Sequence, residues 1–262
     1  MSYLCTNCRH AFPDFRLSCL ECGAWGTLRN KDGQTGDVQA RPVALPDVTA
    51  LAVPRTKSGI APFDVLLGGG LVPGSSILLI GPPGAGKSTL LLQILERVST
   101  PALYVTGEES IQQLKLRADR LAINGRAISL LFETEVGRII AHLGNPPVRI
   151  LVIDSIQTIY TVNSDTLPGS TSQIRKCAYI LRRTARQSDT ILVLVGQVTK
   201  DKRAAGPKLL EHAVDVVLML EVDEERPSRR LLVASKNRFG STASQCVMKM
   251  TENGLFFPGG ES

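Results

Sequence analysis

Short apolar segments alternate with longer amphipathic segments from about residue 58 to the end of the chain. Seven apolar runs have the length of strands, and they span residues 76–81, 102–106, 129–133, 149–154, 191–196, 216–221 and 230–235. Several are apolar at nearly every position, which is typical of a sheet covered on both faces. Helical patterns fill the first four gaps, so the sequence predicts a mainly parallel, doubly wound α/β sheet.

The remaining patterns predict one long helix and a final hairpin. Residues 171–188 place Ile174, Ala178, Leu181 and Ala185 at helical spacing, so these side chains should face the core. The opposite helix face is basic, and a charged outer face is most often simply solvated. The runs QCVMKM and GLFFP near the end of the chain predict the hairpin.

The first 22 residues contain four of the six cysteines. They form two pairs with two residues between the members of each pair: Cys5, Cys8, Cys19 and Cys22. Two such pairs predict a tetrahedral Zn²⁺ site with thiolate ligands. Four protein ligands leave no open position, so this site should be structural. A redox-active pair or a chance spacing is the alternative interpretation.

Composition divides the chain into three segments. Residues 1–30 are predicted to form the zinc module, with too few apolar residues to fold without metal. Residues 31–57 are rich in Pro, Gly and Thr and are predicted to be a linker. Residues 58–262 are predicted to form the α/β domain.

Overall composition excludes few classes of protein. The apolar fraction of 43% is ordinary for a soluble globular protein. No apolar stretch approaches the roughly 20 residues of a membrane span, and the first residues lack the core of a signal peptide. We therefore expect a cytoplasmic protein without a membrane partner. The net charge of +6 favours a polyanionic partner, although this signal is weak by itself.

One segment carries a complete nucleotide-binding motif. GPPGAGKST follows the first predicted strand and begins a helical pattern, as G-x4-G-K-[ST] requires. Its glycines let backbone N–H groups face a phosphate, Lys87 would reach the β- and γ-phosphates, and Ser88 would complete a Mg²⁺ shell. The predicted nucleotide-binding residues are Gly81, Pro82, Pro83, Gly84, Ala85, Gly86, Lys87, Ser88 and Thr89.

Polar side chains follow other predicted strands at the same edge of the sheet. Asp154 could hold Mg²⁺, or it could merely cap the segment after its strand. Glu108 is our choice for the group that orients or deprotonates the attacking water. Glu109 is the alternative, because a helix N-terminus also favours an acidic residue. Gln197 could sense a γ-phosphate, or could simply end its strand.

Two basic segments predict contact with phosphates. Four cations occur within nine positions after Gln197: Lys200, Lys202, Arg203 and Lys208. Such a segment fits contact with a DNA backbone, and a merely solvated loop is the alternative. A second pair, Lys236 and Arg238, follows the last long strand in the sequence KNRFG.

These segments occur in the order found in the bacterial RadA (Sms) family of RecA-like DNA recombination and repair proteins. The chain resembles that family in the four-cysteine module, residues 57–75, the P-loop, GEES, DSIQT, LLEHAVD and KNRFG. The resemblance covers nearly the whole chain, and KNRFG is highly specific to the family.

The resemblance implies a RecA-like P-loop fold and a DNA-dependent ATPase that uses ATP and Mg²⁺. Such proteins act on single-stranded DNA and drive branch migration. It also implies a homo-oligomer, a hexameric ring with ATP bound between subunits. Lys236 and Arg238 would reach a neighbour's γ-phosphate, as arginine fingers do, or DNA phosphates. The zinc module would contact DNA or a partner such as a replicative helicase or recombinase.

The chain departs from the family pattern in three respects. It ends without the usual Lon-protease-like domain, which bears on ring formation and duplex contact. Gln197 stands where the family usually has His, and the P-loop lacks the usual acidic residue. A non-motor adaptor that recruits a helicase or modifies a full-length relative is the alternative function. A small P-loop kinase is disfavoured because no lid or acceptor pocket is evident.

Overall fold

The structure, a computed structural model, describes residues 3–12, 19, 21–22, 28–30, 44–45, 54–144, 147–162, 166–197 and 209–258. The chain divides into two compact units, Met1–Ala52 and Val53–Ser262. The predicted linker lies almost entirely outside the described residues, so the division of the first unit into module and linker stays a prediction.

The first unit contains a small antiparallel sheet. Its described strands are β1 (Tyr3–Cys5), β2 (Ala11–Phe12) and β3 (Leu28–Asn30), in the order β2-β1-β3. Cys5, Phe12, Cys19 and Leu28 form its buried cluster. Two of these four residues are cysteines, so the described residues of this unit bury little apolar surface.

The second unit alternates strands and helices along most of its length. Its helices are α1 (Ala61–Leu66), α2 (Lys87–Val98), α3 (Ile111–Arg120), α4 (Val136–Ala141) and α5 (Thr171–Gln187). Its strands are β4 (Ser76–Gly81), β5 (Ala102–Thr106), β6 (Ile128–Phe132), β7 (Ile150–Asp154), β8 (Ile191–Gln197), β9 (Val216–Val222), β10 (Arg229–Asn237), β11 (Gln245–Thr251) and β12 (Gly254–Phe256). A 3₁₀ turn spans Ile156–Thr158.

Among the described residues these nine strands form one sheet in the order β12-β11-β10-β9-β4-β8-β7-β5-β6. The strands from β9 to β6 in that order are parallel, and the last three along the chain are antiparallel. Alternate residues of β4 enter two different cores: Ile77 and Leu79 pack on one face, and Leu78 and Ile80 pack on the other. The predicted doubly wound sheet is confirmed.

The helix ends follow from local sequence. Ser110 precedes α3 and exchanges hydrogen bonds with Gln113, which forms a capping box. In α5, Ile174, Ala178, Leu181 and Ala185 are buried as predicted. Within the described ranges, no helix combines the length and the apolar composition that crossing a membrane requires.

Strand β10 is longer than the sequence predicts. Pairing with β9 continues to Lys236 and Asn237 after a bulge that follows Ala234. The predicted end at residue 235 is therefore wrong by two residues, because ladder pairing with Val216 and Val217 carries the polar tip into the sheet.

The C-terminal strands are attached to the first half of the domain by polar side chains. The Gln93 amide of α2 donates to the Leu255 carbonyl (3.1 Å) and accepts from the Leu255 N–H (2.9 Å). The Arg55 guanidinium bridges the carbonyls of Leu67 (3.1 Å) and Phe239 (3.0 Å). These bonds join segments that are distant in sequence into one unit.

The KNRFG turn packs directly on the turn after α1. Asn237 donates to the Leu66 carbonyl at 3.1 Å. A Cβ added at Gly240 would lie 2.7 Å from the Cα of Gly68, so backbone meets backbone here with no room for a side chain. Both glycines therefore serve a steric purpose.

We expect Gly240→Ala to destabilise the domain by roughly 1–3 kcal/mol, because a methyl group would force the two turns apart. Gly144→Ala is the matched control, since a Cβ there meets no atom within 4 Å. Urea unfolding measures both variants. Equal stability of the two would contradict the close contact.

Candidate nucleotide site

The P-loop, Gly81 to Thr89, connects β4 to α2 at the carboxyl edge of the sheet. Gly84 and Gly86 adopt left-handed backbone angles, with φ of 74° and 104°. These angles favour glycine and help turn successive peptide N–H groups into one concave surface. Pro82 and Pro83 have no N–H group, so the remaining residues of the loop must supply the donors.

Lys87 is folded back onto its own loop. Its ammonium group donates to the carbonyls of Gly81 (2.9 Å) and Pro82 (3.0 Å). The side chain is buried, and burial lowers the pKa of Lys87 although Asp154 and Glu108 oppose this shift. A cation in this position is available to an anion that approaches the loop.

Asp154 ends β7 and faces α2, as the sequence predicts. Its Oδ2 atom accepts hydrogen bonds from the Ser88 hydroxyl (2.7 Å) and the Tyr104 hydroxyl (2.5 Å). Burial raises the pKa of the Asp154 carboxyl, and these two bonds hold the pKa lower than burial alone would. Ser88 and Asp154 thus offer two oxygen groups side by side, which suit a hard cation such as Mg²⁺.

The two adjacent glutamates have different partners. Glu108 accepts from Ser155 Oγ (2.5 Å) and from Gln197 Nε2 (2.8 Å). Glu109 forms a two-bond ion pair with Arg117, at 2.7 Å for each bond. Glu109 is therefore fixed by a cation of α3, whereas Glu108 is held only by neutral donors on the strand ends. This geometry favours Glu108 as the group that acts on a ligand.

Gln197 lies at the end of β8 and is held at both its side chain and its backbone. Its amide reaches Glu108, and its carbonyl accepts from Gln157 Nε2 at 3.2 Å. It is the last described residue before residue 209. The predicted DNA-binding residues Lys200, Lys202, Arg203 and Lys208 fall outside the described residues, so their contact with DNA stays a prediction.

These groups surround one open cleft of about 390 Å³. Its lining is mainly polar and charged and comprises Pro83, Gly84, Gly86, Lys87, Ser88, Thr89, Thr106, Glu108, Glu109, Arg117, Arg120, Asp154, Gln197 and Met250. The cleft lies at the carboxyl ends of parallel strands, where open α/β sheets bind ligands. Strands β4, β5, β7 and β8 all end there.

A family model described as an AAA domain matches residues 39–203, which include the P-loop, Glu108, Asp154 and Gln197. The chain belongs to the AAA domain family. Relatives named DNA repair protein RadA are 44% identical in Pseudomonas aeruginosa and 42% identical in Haemophilus influenzae. Each alignment covers 97% of this chain and 58% of the relative, so the chain spans less than two thirds of their length. The predicted resemblance to the RadA family is confirmed.

Solved structures resemble this AAA domain in fold. A RadB recombinase superposes with a TM-score of 0.59 at 24% identity, covering 77% of this chain and 99% of that one. A KaiC-like protein from Pyrococcus horikoshii gives a TM-score of 0.64 at 22% identity, covering 78% and 99%. The predicted RecA-like fold is confirmed.

Lys236 and Arg238 do not line this cleft. The Lys236 ammonium donates to three carbonyls, those of Glu211 (2.8 Å), His212 (3.4 Å) and Val214 (2.6 Å). Arg238 pairs with Asp215 at 3.2 Å, and its side chain is 57% exposed. Their predicted contact with a neighbour's nucleotide or with DNA stays a prediction.

The four predicted cysteine ligands come together in the first unit. Cys5, Cys8, Cys19 and Cys22 have Sγ atoms within 4.8 Å of one another. Tetrahedral thiolates bound to one Zn²⁺ would be separated by about 3.8 Å, so the donor set and its spacing fit a bound metal. The cluster confirms the predicted grouping, and the identity of the metal stays a prediction.

Sequence reasoning missed several residues of the site. Tyr104 lies in an apolar strand, and a buried tyrosine hydroxyl requires a partner, which was an available signal. Arg117 and Arg120 occupy an ordinary amphipathic helix, and Met250 comes from the far edge of the sheet. These three residues belong to no recognisable motif, so the sequence alone did not indicate that they line the cleft.

Asp154→Asn should raise the free energy of unfolding at pH 7–8, because it removes a carboxylate whose ionisation burial opposes. The folded-state pKa of Asp154 is raised, so its contribution to stability is lost as pH rises through that pKa. Asparagine cannot ionise and can still accept from Ser88 and Tyr104. The gain should shrink as pH falls below the folded-state pKa, which urea unfolding over a pH series measures.

Asp223→Asn serves as a control of opposite sign. The N–H of Arg226, helped by that of Glu225, lowers the pKa of Asp223 in the folded state. Its contribution is present above the unfolded pKa and is lost as pH falls, so asparagine should reduce stability at neutral pH. If both variants shifted stability in the same direction at pH 7, the assigned environments would be wrong.

Proposed function

We propose that the chain is a DNA-dependent ATPase of the RadA type that acts on single-stranded DNA in recombination and repair. The observation that carries the proposal is the convergence of Lys87, Ser88, Asp154, Glu108 and Gln197 on one cleft. The similarity to relatives named DNA repair protein RadA supports the biological context.

In this proposal the P-loop binds the triphosphate of ATP. Lys87 exchanges its two loop carbonyls for phosphate oxygens, a trade of neutral acceptors for charged ones. Ser88 and Asp154 would hold Mg²⁺, which supplies charge neutralisation at the β- and γ-phosphates. Asp154 Oδ2 accepts hydrogen bonds from the Ser88 and Tyr104 hydroxyls, and the bond from Tyr104 would hold this carboxylate in place for Mg²⁺.

Glu108 would orient or deprotonate the attacking water. It lies beside Lys87 and Asp154 in the cleft and is free of any cation partner among the described residues. Gln197 now donates to Glu108, so an incoming γ-phosphate would compete with Glu108 for the Gln197 amide. Nucleotide binding would thereby free Glu108 from Gln197 and shift Gln197 at the end of β8.

That shift would couple ATP binding to DNA binding. The chain continues from Gln197 into the segment that contains Lys200, Lys202, Arg203 and Lys208. Gln157 lies in the 3₁₀ turn that begins two residues after Asp154, and its Nε2 donates to the Gln197 carbonyl. A change at either strand end is therefore transmitted to the start of the basic segment, where DNA phosphates would bind.

The homo-oligomer and the zinc module complete the proposal. Lys236 and Arg238 would complete a neighbour's nucleotide site across a subunit boundary in a ring. Neither residue lines the cleft of its own chain, and Arg238 is exposed; both observations support that role. We further propose Zn²⁺ in the cysteine cluster, whose module would recruit a helicase or recombinase partner or contact DNA.

Glu108→Gln should reduce ATP hydrolysis by about 10²–10⁴-fold while ATP still binds, because only the chemical step requires the carboxylate. Single-stranded DNA should stimulate hydrolysis by the unmodified chain. Glu109→Gln is the matched control and should retain most of the hydrolysis. Phosphate release with and without single-stranded DNA, together with nucleotide binding, measures these effects. An unmodified chain that binds ATP but shows no DNA-stimulated turnover would favour the adaptor instead.

A mixing experiment tests action across a subunit boundary. Lys87→Ala and Lys236→Ala should each be inactive alone, and an equimolar mixture should regain hydrolysis. About one boundary in four would then combine an intact P-loop with an intact neighbouring Lys236. Arg238→Ala mixed with Lys87→Ala repeats the test with an exposed residue that contributes little to stability. Full activity of Lys236→Ala and Arg238→Ala alone would exclude the proposed role.

A further inference from the structure

Arg230 is a buried cation that the proposed mechanism does not use. It lies in β10, pairs across the sheet with Val222 and Met248, and is only 7% exposed. Arginine keeps its proton at any ordinary pH. A full positive charge therefore lies inside the protein.

Among the residues that the structure describes, the hydrogen-bond partners of Arg230 are neutral carbonyls. Its Nε donates to the Ala85 carbonyl at 2.8 Å, and its Nη1 donates to the carbonyls of Pro227 and Arg229. Within the described part of the chain no carboxylate lies within ion-pair distance of it. Burial alone lowers the pKa of Arg230, with no acidic group opposing it.

The Ala85 carbonyl belongs to the centre of the P-loop. Its neighbours Gly84 and Gly86 have left-handed backbone angles and line the cleft. A carbonyl oxygen repels phosphate, so a phosphate-binding loop must turn its carbonyls away from the ligand. Arg230 holds this carbonyl from the side of the sheet and so fixes the loop in that orientation.

A buried charge without a counter-charge costs free energy. The polyanion that a P-loop binds is the natural counter-charge, because the interaction crosses a single loop of protein rather than water. Binding of a triphosphate would therefore lower the cost of burying Arg230, and Arg230 would strengthen triphosphate binding in return. Arg230 does not line the cleft itself, so it acts through the loop.

We propose that Arg230 is a positioning residue of the nucleotide site, which orients the P-loop through Ala85 and supplies positive charge behind it that no described carboxylate pairs with. The ligand class is a nucleotide with two or three phosphates, favoured over a monophosphate. This inference rests on the proposed ATP binding and adds a specificity-determining residue outside the P-loop motif.

Equilibrium binding of MgATP, MgADP and AMP to the full chain tests the inference. Arg230→Met should weaken MgATP binding by at least about tenfold, MgADP less, and AMP least. Arg230→Lys, which keeps the charge but loses the planar fork, should lie between. Arg229→Met is the matched control, because the neighbouring Arg229 is half-exposed and pairs with Asp223, and it should bind as the unmodified chain does.

The outcomes separate a charge effect from a steric one. Unchanged MgATP binding by Arg230→Met, or an equal loss for all three nucleotides, would overturn the proposal. If thermal unfolding shows that Arg230→Met is not folded, Arg230→Lys decides. For Arg230→Lys, a loss of MgATP affinity that exceeds its loss of AMP affinity supports the proposal, and no loss or an equal loss for all three nucleotides refutes it. If the unmodified chain binds no nucleotide, that result contradicts the proposed ATPase activity itself, and not only the role of Arg230.

Discussion

Strand β4 has no solvent-exposed position: all six of its residues, Ser76–Gly81, are buried between two helical layers. Parallel neighbours on both sides, β8 and β9, pair its backbone along nearly its whole length. The peptide groups of β4 are used in strand pairing, so peptide N–H groups become available to a ligand at the carboxyl edge, where the P-loop begins. The ends of β5, β7 and β8 meet at the same edge, which brings Glu108, Asp154 and Gln197 to the loop. The site is thus a geometric consequence of burying one strand.

The charged groups of the site each form hydrogen bonds with neutral groups. Lys87 binds loop carbonyls, Asp154 binds two hydroxyls, and Glu108 binds an amide and a hydroxyl. Since Lys87 donates to neutral carbonyls, a phosphate can take their place without first breaking a buried salt bridge. Glu109, by contrast, is committed to Arg117. The groups that would act on a ligand thus have neutral partners, whereas the ion pair of Glu109 and Arg117 supports the cleft beside them.

Local patterns predicted the elements because each depends on near neighbours. The continuous apolar run of β4, the buried face of α5 and the strand–loop–helix context of the P-loop can all be recognised within about twenty residues. The Tyr104 bond to Asp154 and the Arg230 bond to Ala85 join elements far apart in sequence, so no local pattern encodes them. Lys236 shows the same limit: its sequence context marks a basic tip, while its observed carbonyl partners come from a segment more than twenty residues earlier.

The bonds that attach the C-terminal strands have a consequence for synthesis of the chain. The sequence separation is 145 positions between Ala85 and Arg230, 162 between Gln93 and Leu255, and 184 between Arg55 and Phe239. Contacts of such long sequence separation form late, and a growing chain cannot form them until its final strands emerge from the ribosome. The P-loop of a nascent chain is thus translated long before Arg230 is available to bind the Ala85 carbonyl. The Ala85 carbonyl is therefore held in place only after Arg230 has been translated and β10 has joined the sheet.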